Sequence, residues 1–408
     1  MSYNQVRLAI VGGGLAGAAL ANALIRHGHQ RADGPTTQLL IRRAHAVPVH
    51  STRFVMGAGP EAGEVIAEIG DRQQHENMVV HRGSLLRELL APLPHDRLHL
   101  NKKLCSITRC IPQPPLSEPS DSGGVELGFE DGATERFDGV IGADGVFSGV
   151  RQFVLQDHHP DAVAPCPSGF WDARVLVPFE RAKEVLGEQY LGGETDRQHA
   201  WSGGVPTYCA TRWKTRVSCI TADRRITLTR ERLETRELAA WLEGPIADKM
   251  INVCVLFILY GGESFVGYYN LEHRNTPTYA NNCVAIMGDA AHAMTPWQGA
   301  GVGQAFEDAA VLGSLFAKVF SSKDVRTALS VFDVVRRPRC QRIIESSRET
   351  GMIMCGLSDD VGMNVREMRE ALESRWVFIH AFDLEKHIED ALRRLGSLQE
   401  NSDPTQGL

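Results

Sequence analysis

Apolar positions near the start of the chain follow the pattern of a strand that turns directly into a helix. A mostly apolar run over residues 6–11 leads into three glycines at 12–14, and alanine and leucine then recur at helical spacing up to residue 27. Leu39 to Ile41 form a short apolar run after a polar turn segment and predict a second strand. Two strands joined by a helix form a βαβ unit, so we expect a parallel sheet at the start of the chain.

Further along, strand and helix patterns predict a fold of four segments. A helix is predicted over 82–90, a strand over 96–110, a hairpin turning at Asp131-Gly132, a buried strand ending at Asp144, a strand over 281–287 that rejoins the first sheet, and helices over 303–320, 328–349 and 368–395. Short β-like pieces dominate 167–279 and predict an inserted sheet domain. The resulting division is a first α/β part at 1–165, a sheet domain at 166–279, a second part of the α/β domain at 280–350 and a C-terminal helical segment at 351–408.

Composition narrows the classes of function. With 408 residues, 43% of them hydrophobic, the chain is typical of a globular protein. Its net charge of -7 argues against a surface that binds nucleic acid. Its nine cysteines include no CxxC pair, which favours reduced thiols and neither a disulfide framework nor a metal site. No apolar segment approaches the ~20 residues that span a bilayer, and the N-terminus lacks a signal-peptide pattern. We therefore expect a cytoplasmic protein, without membrane or nucleic-acid partners.

Gly12, Gly14 and Gly17, with Leu15 and Ala16 between them, have the G-x-G-x-x-G spacing directly between the predicted strand and helix. In this context the pattern indicates a turn that binds the pyrophosphate of a dinucleotide, although a purely structural glycine turn remains the alternative. The acid that usually follows the second strand is absent, because Arg42 and Arg43 follow Ile41. An arginine there would tolerate a 2′-phosphate, so this motif alone leaves NADP open.

The segment GDAAHAMTPWQGAGVG, residues 288–303, places an acid, a proline and several glycines between a predicted strand and a predicted helix. Glycines admit close backbone approach, proline fixes a bend, and a helix start offers free N–H groups to an anion. The pattern indicates a flat or negatively charged ligand. An ordinary glycine-rich helix start is the alternative, although it would need neither Asp289 nor Pro296.

GADGVFSGVR (142–151) and residues 288–312, in order after the opening glycines, resemble the class A flavoprotein monooxygenases, and the salicylate hydroxylase-like group most closely. The resemblance covers most of the chain apart from residues 31–80. It implies a Rossmann-like α/β FAD-binding domain of the glutathione reductase and p-hydroxybenzoate hydroxylase type, with an inserted mixed β-sheet substrate domain and C-terminal helices.

The resemblance also implies roles for single residues. Gly12, Gly14, Leu15, Ala16 and Gly17 would hold the FAD pyrophosphate, Asp144 and Gly145 match a motif shared by FAD and NAD(P)H, and Asp289 would bind ribitol or ribose hydroxyls. Further predicted FAD contacts are Arg43, Arg82, Leu104, Gly299, Gly301 and Val302, and Pro296 would lie against the flavin ring. Arg174 and Tyr208 would bind a substrate phenolate, although each is equally plausible as a structural residue. His292 would support its turn, and Trp297 would border the substrate cavity or belong to the core.

The implied activity is an FAD-dependent hydroxylation of a phenolic or aryl-acid substrate. In the family, NADPH or NADH reduces FAD, O2 forms a flavin C4a-hydroperoxide, and the ring is hydroxylated, with decarboxylation where a carboxylate occupies the attacked carbon. A monomer or homodimer is expected. One alternative is a tailoring enzyme that epoxidises or oxidatively dearomatises a polyketide- or alkaloid-like metabolite. Another is an FAD-deficient, non-catalytic homologue, because Arg42 replaces a family glutamate and the segment 44–81 is shorter than the family's by a few dozen residues.

Overall fold

The computed structural model describes residues 6–27, 37–57, 59–70, 77–110, 124–188, 197–202, 207–213, 216–223 and 267–401. Among these residues, no helix is both long enough and apolar enough to cross a bilayer.

The first sheet contains the predicted opening strand. Its four strands lie in the order β1 (Leu8–Val11), β9 (Gly139–Gly142), β16 (Val284–Ile286) and β15 (Ala280–Asn281). The first three are parallel, and β15 is antiparallel to β16. The two central strands are short, apolar and fully buried, as expected for a parallel sheet covered on both faces. This confirms that the chain returns to its opening sheet after the inserted region.

The second sheet has seven strands in the order β14-β10-β13-β12-β11-β3-β4. In chain order these are β3 (Ser51–Met56), β4 (Val65–Ile69), β10 (Cys166–Pro178), β11 (Arg197–Ser202), β12 (Thr207–Trp213), β13 (Arg216–Asp223) and β14 (Gly267–Glu272). The sheet is mixed, because β3 and β11 are parallel and the other pairs are antiparallel. Two of its strands come from before residue 70, so both halves of the chain build the predicted substrate sheet.

Two smaller sheets complete the β structure. One pairs β2 (Val47–Val49) with β5 (Asn77–Val79), and the other contains β6 (Leu104–Arg109), β7 (Val125–Phe129) and β8 (Thr134–Phe137). The predicted hairpin at Asp131-Gly132 is confirmed, since β7 and β8 are antiparallel neighbours and Gly132 has a φ of +82°. Glycine favours this turn because a positive φ is strained for residues that carry a Cβ.

Helices cover the first sheet and form the C-terminal part. In chain order they are α1 (Leu15–His27), α2 (Thr37–Arg43), α3 (Arg82–Leu90), α4 (Gly149–Leu155), α5 (Phe179–Leu186), α6 (Asp289–His292), α7 (Gly301–Phe316), α8 (Ser322–Met354), α9 (Val365–Leu372), α10 (Val377–His380) and α11 (Leu384–Asn401). Helix α1 packs along α7, and α11 packs on α7 and α8. The predicted helices over 82–90, 303–320 and 328–349 are confirmed, with observed ends within about two turns of the expected ones. The stretch predicted as one helix over 368–395 is instead three shorter helices, α9, α10 and α11.

One predicted strand is wrong, and another is shorter than predicted. Residues 39–41 lie inside helix α2, so Arg42 and Arg43 end a helix and do not follow a second parallel strand. The segment is rich in leucine, glutamine and arginine, which have good helix propensity, and three apolar residues are too few to distinguish strand from helix. The strand expected over 96–110 covers only Leu104–Arg109, and residues 95–97 form a 3-10 turn.

Three segments with clear sequence patterns lie mostly or wholly outside the described residues. They are a segment at 111–124 that is rich in proline, serine and glycine and predicts a loop, an amphipathic segment at 231–244, and an apolar segment at 251–260 that predicts a buried strand.

Candidate active site

In the glycine turn after β1, two glycines pack closely against backbone atoms and two face open space. Gly12 has a φ of +114°, and a Cβ on it would lie 2.3 Å from the Ala143 carbonyl oxygen. A Cβ on Gly17 would lie 2.1 Å from the Gly12 carbonyl oxygen, whereas a Cβ on Gly13 or Gly14 would meet no protein atom within 4 Å. The turn is therefore packed on one side and open on the other, at the helix start where unpaired N–H groups favour an anion.

Asp144, which follows β9, fixes the turn of the second motif, GADGVFSGVR at residues 142–151. Its carboxylate accepts hydrogen bonds from the Ser148 hydroxyl and from the backbone N–H groups of Gly149 (2.9 Å) and Val150 (3.2 Å). These contacts satisfy the start of α4, where backbone donors have no helical partner. Gly145 adds a φ of +81°. The carboxylate predicted to serve both FAD and NAD(P)H thus already fixes the turn that follows the strand.

Arg151 links the second motif to the third and is not among the predicted site residues. It is 1% exposed and donates hydrogen bonds to the carbonyl oxygens of Ala290 (3.0 Å), Ala291 (3.3 Å) and Ala162 (2.6 Å). Burial lowers its pKa to about 10, so the guanidinium stays charged at neutral pH. The available signal was that Arg151 is the last residue of the motif GADGVFSGVR.

The third motif, which begins at Gly288, lies directly against the first, the glycine turn at residues 12–17. Gly288 has a φ of +57°, and a Cβ on it would come within 2.9 Å of the Ala16 Cβ. Asp289 is exposed, although Gly288 and the three residues after Asp289 are buried. The chain therefore presents one carboxylate beside the open glycine turn and buries the rest of the segment.

The loop from Pro296 to Gly303 forms an exposed surface of small residues. A 3-10 turn over Pro296–Gln298 ends at Gly299, which has a φ of +66°, and α7 begins at Gly301. Pro296, Gly299, Val302 and Gly303 are exposed. Gln298 is buried and anchors the loop by donating a hydrogen bond from Nε2 to the Arg375 carbonyl oxygen, 3.0 Å away. A fixed surface without large side chains, at a helix start, suits a flat and electron-rich ligand.

Trp297 packs between the second sheet and helix α8. Its ring meets Phe170 edge to face with centroids 5.2 Å apart. A Cβ on Gly351 of α8 would lie 2.2 Å from the Trp297 Nε1 atom, so the indole lies directly against the helix backbone. These contacts favour the structural role for Trp297, which joins the loop to the sheet.

Behind the loop lies a buried polar cluster around Asp308. Its carboxylate contacts His292 Nε2 at 2.6 Å and Arg336 Nε at 2.9 Å, and all three side chains are at most 1% exposed. Burial opposes the charged form of His292, but Cys340 and Asp308 outweigh it and raise the pKa well above its usual value. Burial likewise acts to raise the pKa of Asp308, but His292 and Arg336 lower it to about 2. His292 thus supports its turn, as predicted.

His292, Asp308 and Cys340 also offer three metal-ligating atoms within 4.8 Å of one another. Arg336 argues against a cation at this place. Its guanidinium donates to Asp308 and approaches the Cys340 sulfur at 3.5 Å, so a positive charge already lies against two of the three ligand atoms. We interpret the cluster as a hydrogen-bonded network.

The remaining predicted FAD contacts lie around the first sheet. Arg82 is the exposed first residue of α3, and Leu104 is the first residue of β6. Leu15 and Ala16 begin α1, and Ala16 packs against Gly288 of the third motif. Arg43 lies in the last turn of α2, with its Nη1 atom 4.0 Å from Glu88. Arg43 therefore lacks the strand-end placement on which its predicted role depended.

The strand register separates the two predicted substrate residues. Arg174 is paired with Ile220, which is paired with Cys209. Paired residues share a face of a sheet and successive residues alternate, so position 208 lies on the face opposite to position 174. On the face of position 174, Cys209 is paired with Ala200, and Ala200 is paired with Phe54. Ala200 and Phe54 belong to an apolar cluster that Trp297 also contacts. Position 174 therefore shares the face that meets the Pro296–Gly303 loop.

Comparison with known proteins agrees with this arrangement. The FAD binding domain family matches residues 128–347, a little over half of the 408 residues. The chain is 31% identical to 6-methylsalicylate 1-monooxygenase of Aspergillus terreus, over 97% of this chain and 94% of that protein. It is 26% identical to a salicylate hydroxylase of Pseudomonas putida, over 96% and 95%.

A solved salicylate hydroxylase substrate complex has the same fold, with a TM-score of 0.76 at 24% identity, over 96% of this chain and 98% of that one. The alignment with the Aspergillus terreus protein extends over 444 positions, more than the 408 residues of this chain, so that relative has segments without a counterpart here.

Fold and site together define an FAD-dependent monooxygenase, built from a nucleotide-binding α/β domain and a second, mixed sheet. The chain belongs to the FAD binding domain family and, within it, to the class A flavoprotein monooxygenases, the FAD-dependent aromatic hydroxylases. The predicted fold class and family are thereby confirmed.

Proposed function

We propose that the protein is a hydroxylase of phenolic or aryl-acid substrates that uses FAD, NADPH or NADH, and O2. The observation that carries this proposal is the meeting of three motifs at the open glycine turn, beside the exposed Asp289 and the Pro296–Gly303 loop. Two relatives are named for acting on 6-methylsalicylate and on salicylate, and this supports an anionic aromatic substrate.

The residues present fit most of an FAD molecule. The open space at Gly13 and Gly14 suits the pyrophosphate, Asp289 suits the ribityl hydroxyls, and the Pro296–Gly303 loop suits the edge of the flavin ring. The adenosine end is different. Helix α2 lies in the segment where the second strand was predicted, so no acid at a strand end is assigned to the ribose within the described residues. Pyrophosphate and flavin contacts would therefore supply most of the affinity.

FAD supplies the redox and oxygen chemistry when it is bound, and the protein supplies position and electrostatics. The start of α7 places its positive dipole end at the loop, where it would stabilise negative charge on a reduced flavin. Arg174, on the sheet face toward the loop, would hold a substrate phenolate or carboxylate by charge-assisted hydrogen bonds. The packing of Trp297 on Phe170 and Gly351 would exclude water between loop and sheet.

The test begins with the visible absorption spectrum of the purified protein, with and without added FAD. NADPH and NADH are then added without oxygen, and O2 is finally admitted with salicylate or 6-methylsalicylate present. Bound flavin that is bleached by reductant, faster with substrate, and a product heavier by one oxygen or changed by exchange of carboxylate for hydroxyl would support the proposal. Failure to bind FAD, or reductant oxidation without hydroxylated product across a panel of phenols and aryl acids, would overturn it.

A further inference from the structure

A single buried carboxylate holds the segment that presents Asp289. Asp308 Oδ2 accepts a hydrogen bond from the Gly288 backbone N–H at 3.0 Å and contacts His292 Nε2 at 2.6 Å. Asp308 Oδ1 accepts a hydrogen bond from Arg336 Nε at 2.9 Å. The turn is therefore held at its first and last residues by one oxygen atom, and α8 is held by the other.

These contacts join the two elements that we propose to touch FAD. Gly288 and His292 flank Asp289, the exposed carboxylate beside the glycine turn. Asp308 itself lies about two turns after the start of α7, whose first residues belong to the exposed loop. Any movement of the turn relative to α7 would break a contact to a carboxylate that is 0% exposed. Such a break is costly, because a buried charge would lose its partner.

We propose that Asp308 is a positioning residue for the FAD site, which fixes Asp289 and the start of α7 in the geometry that binds the cofactor. This inference rests on the proposed function, since it concerns how that site is held. Asp308 does not touch the cofactor in this account. It acts through Gly288 and His292 on one side and through its own helix on the other.

Replacing Asp308 by asparagine would keep the size of the side chain but would replace one acceptor oxygen with an NH2 donor group. The Gly288 N–H and the Arg336 Nε–H can only donate, and each faces a different oxygen of Asp308. An amide offers one acceptor oxygen and one donor group, so one of these two donors would face an NH2 group in either orientation. Asp308→Asn therefore disturbs either the turn or the anchor to α8 without removing volume.

Asp333 provides a matched control within the same domain. Its carboxylate also accepts from a backbone N–H, that of Tyr279 at 2.8 Å, and from an arginine, Arg337, at 2.8 Å. Both donors face Oδ1, so an asparagine could keep them, and Asp333→Ala is the substitution that removes both contacts. The Tyr279 ring lies near the His292 ring, with centroids 6.0 Å apart, but Asp333 makes none of the hydrogen bonds that hold Gly288 and His292.

The experiment measures three properties of wild type, Asp308→Asn and Asp333→Ala. They are the melting temperature of each apoprotein, the dissociation constant for FAD from fluorescence titration, and the visible band of the bound flavin. We expect Asp308→Asn to raise the dissociation constant about tenfold to a hundredfold and to shift the flavin band. Asp333→Ala should lower the melting temperature and keep FAD affinity within about twofold, a change worth less than 0.6 kcal/mol.

The outcomes separate this inference from the proposed function. Wild type that binds FAD together with an Asp308→Asn variant of equal affinity and spectrum would overturn the inference alone. Equal losses of affinity in both variants would also overturn it, because they would reflect general destabilisation. Wild type that does not bind FAD would overturn the proposed function and the inference with it. If Asp308→Asn does not fold, His292→Phe keeps a ring beside Tyr279 and removes one donor, and unchanged FAD binding there would overturn the inference.

Discussion

Gly288 lies directly against Ala16, so close that a Cβ on the glycine would come within 2.9 Å of the alanine Cβ. Gly12 lies in the same way against the Ala143 carbonyl oxygen. Three motifs that are far apart in sequence thus meet through glycine backbones, because they follow the carboxyl ends of the parallel strands β1, β9 and β16. Ligands of open α/β sheets bind at this edge, so the sheet order itself gathers the site.

The glycines of the opening turn should separate cofactor binding from stability. Gly14→Ala places a methyl group in space that no protein atom occupies within 4 Å, so we expect an unchanged apoprotein melting temperature and weaker FAD binding. Gly17→Ala drives a methyl group against the Gly12 carbonyl oxygen and should cost about 1–3 kcal/mol of folding free energy. Thermal melts and FAD titrations of both variants check this. Equal melting temperatures and equal FAD affinities for the two variants would contradict the division of roles.

Sequence patterns predicted much of the site at the carboxyl ends of β1, β9 and β16, because the relevant signals are local. A strand, a glycine turn and a helix start follow one another within residues 8–17, and similar local signals surround Asp144 and Asp289. The error at Leu39–Ile41 shows the limit of such signals. Three apolar residues fit a strand or a helix, and the choice depends on whether a neighbouring strand is available for pairing. That is a tertiary property, which the local pattern does not contain.

The contact between Trp297 and Gly351 should behave as a size-matched pair. Gly351→Ala alone would force a methyl group onto the indole, and we expect a loss of about 1–3 kcal/mol in the free energy of unfolding. Trp297→Phe removes the pyrrole ring that Gly351 faces and keeps an aromatic ring beside Phe170. The double variant should therefore recover part of the loss. Denaturant unfolding of the two single variants and the double variant gives the coupling energy, and additive effects would contradict direct packing.

The residues that sequence analysis missed share one physical feature. Arg151, Asp308 and Arg336 are charged side chains that are fully or almost fully buried, and their partners are distant in sequence. Charged residues are mostly exposed, so a single sequence offers little reason to place them in a core. Their burial is stable only because several hydrogen bonds converge on each, and that convergence requires the folded chain.

The opposite faces of positions 174 and 208 give a direct test of the substrate site. We expect Arg174→Gln to raise the KM for an anionic aromatic substrate about tenfold or more, because a charge-assisted hydrogen bond is lost on the face that meets the loop. Tyr208→Phe, on the other face, should leave KM nearly unchanged. Steady-state kinetics of both variants with salicylate check this. A large effect of Tyr208→Phe with none of Arg174→Gln would place the substrate on the opposite face.

One buried histidine, His273, should make the stability of the apoprotein fall on the acid side. His273 is 1% exposed and donates from Nε2 to the Val146 carbonyl oxygen at 3.1 Å, and burial with the nearby Arg151 lowers its pKa to about 3. The pKa of an unfolded histidine is about 6.5. As the pH falls below about 6.5, the unfolded chain therefore gains a proton that the folded chain does not accept.

This histidine should cost about 1.4 kcal/mol of folding free energy per pH unit on the acid side. Urea unfolding at pH 6 and pH 5 should show a smaller loss in His273→Gln than in wild type, because glutamine can still donate to Val146 but does not titrate. His292→Gln is the matched control. The pKa of His292 is raised, so folded and unfolded forms both carry the proton below pH 6, and its removal should lower stability equally at both pH values. A flattened pH dependence in His292→Gln, with none in His273→Gln, would reverse the charge states inferred for the two side chains.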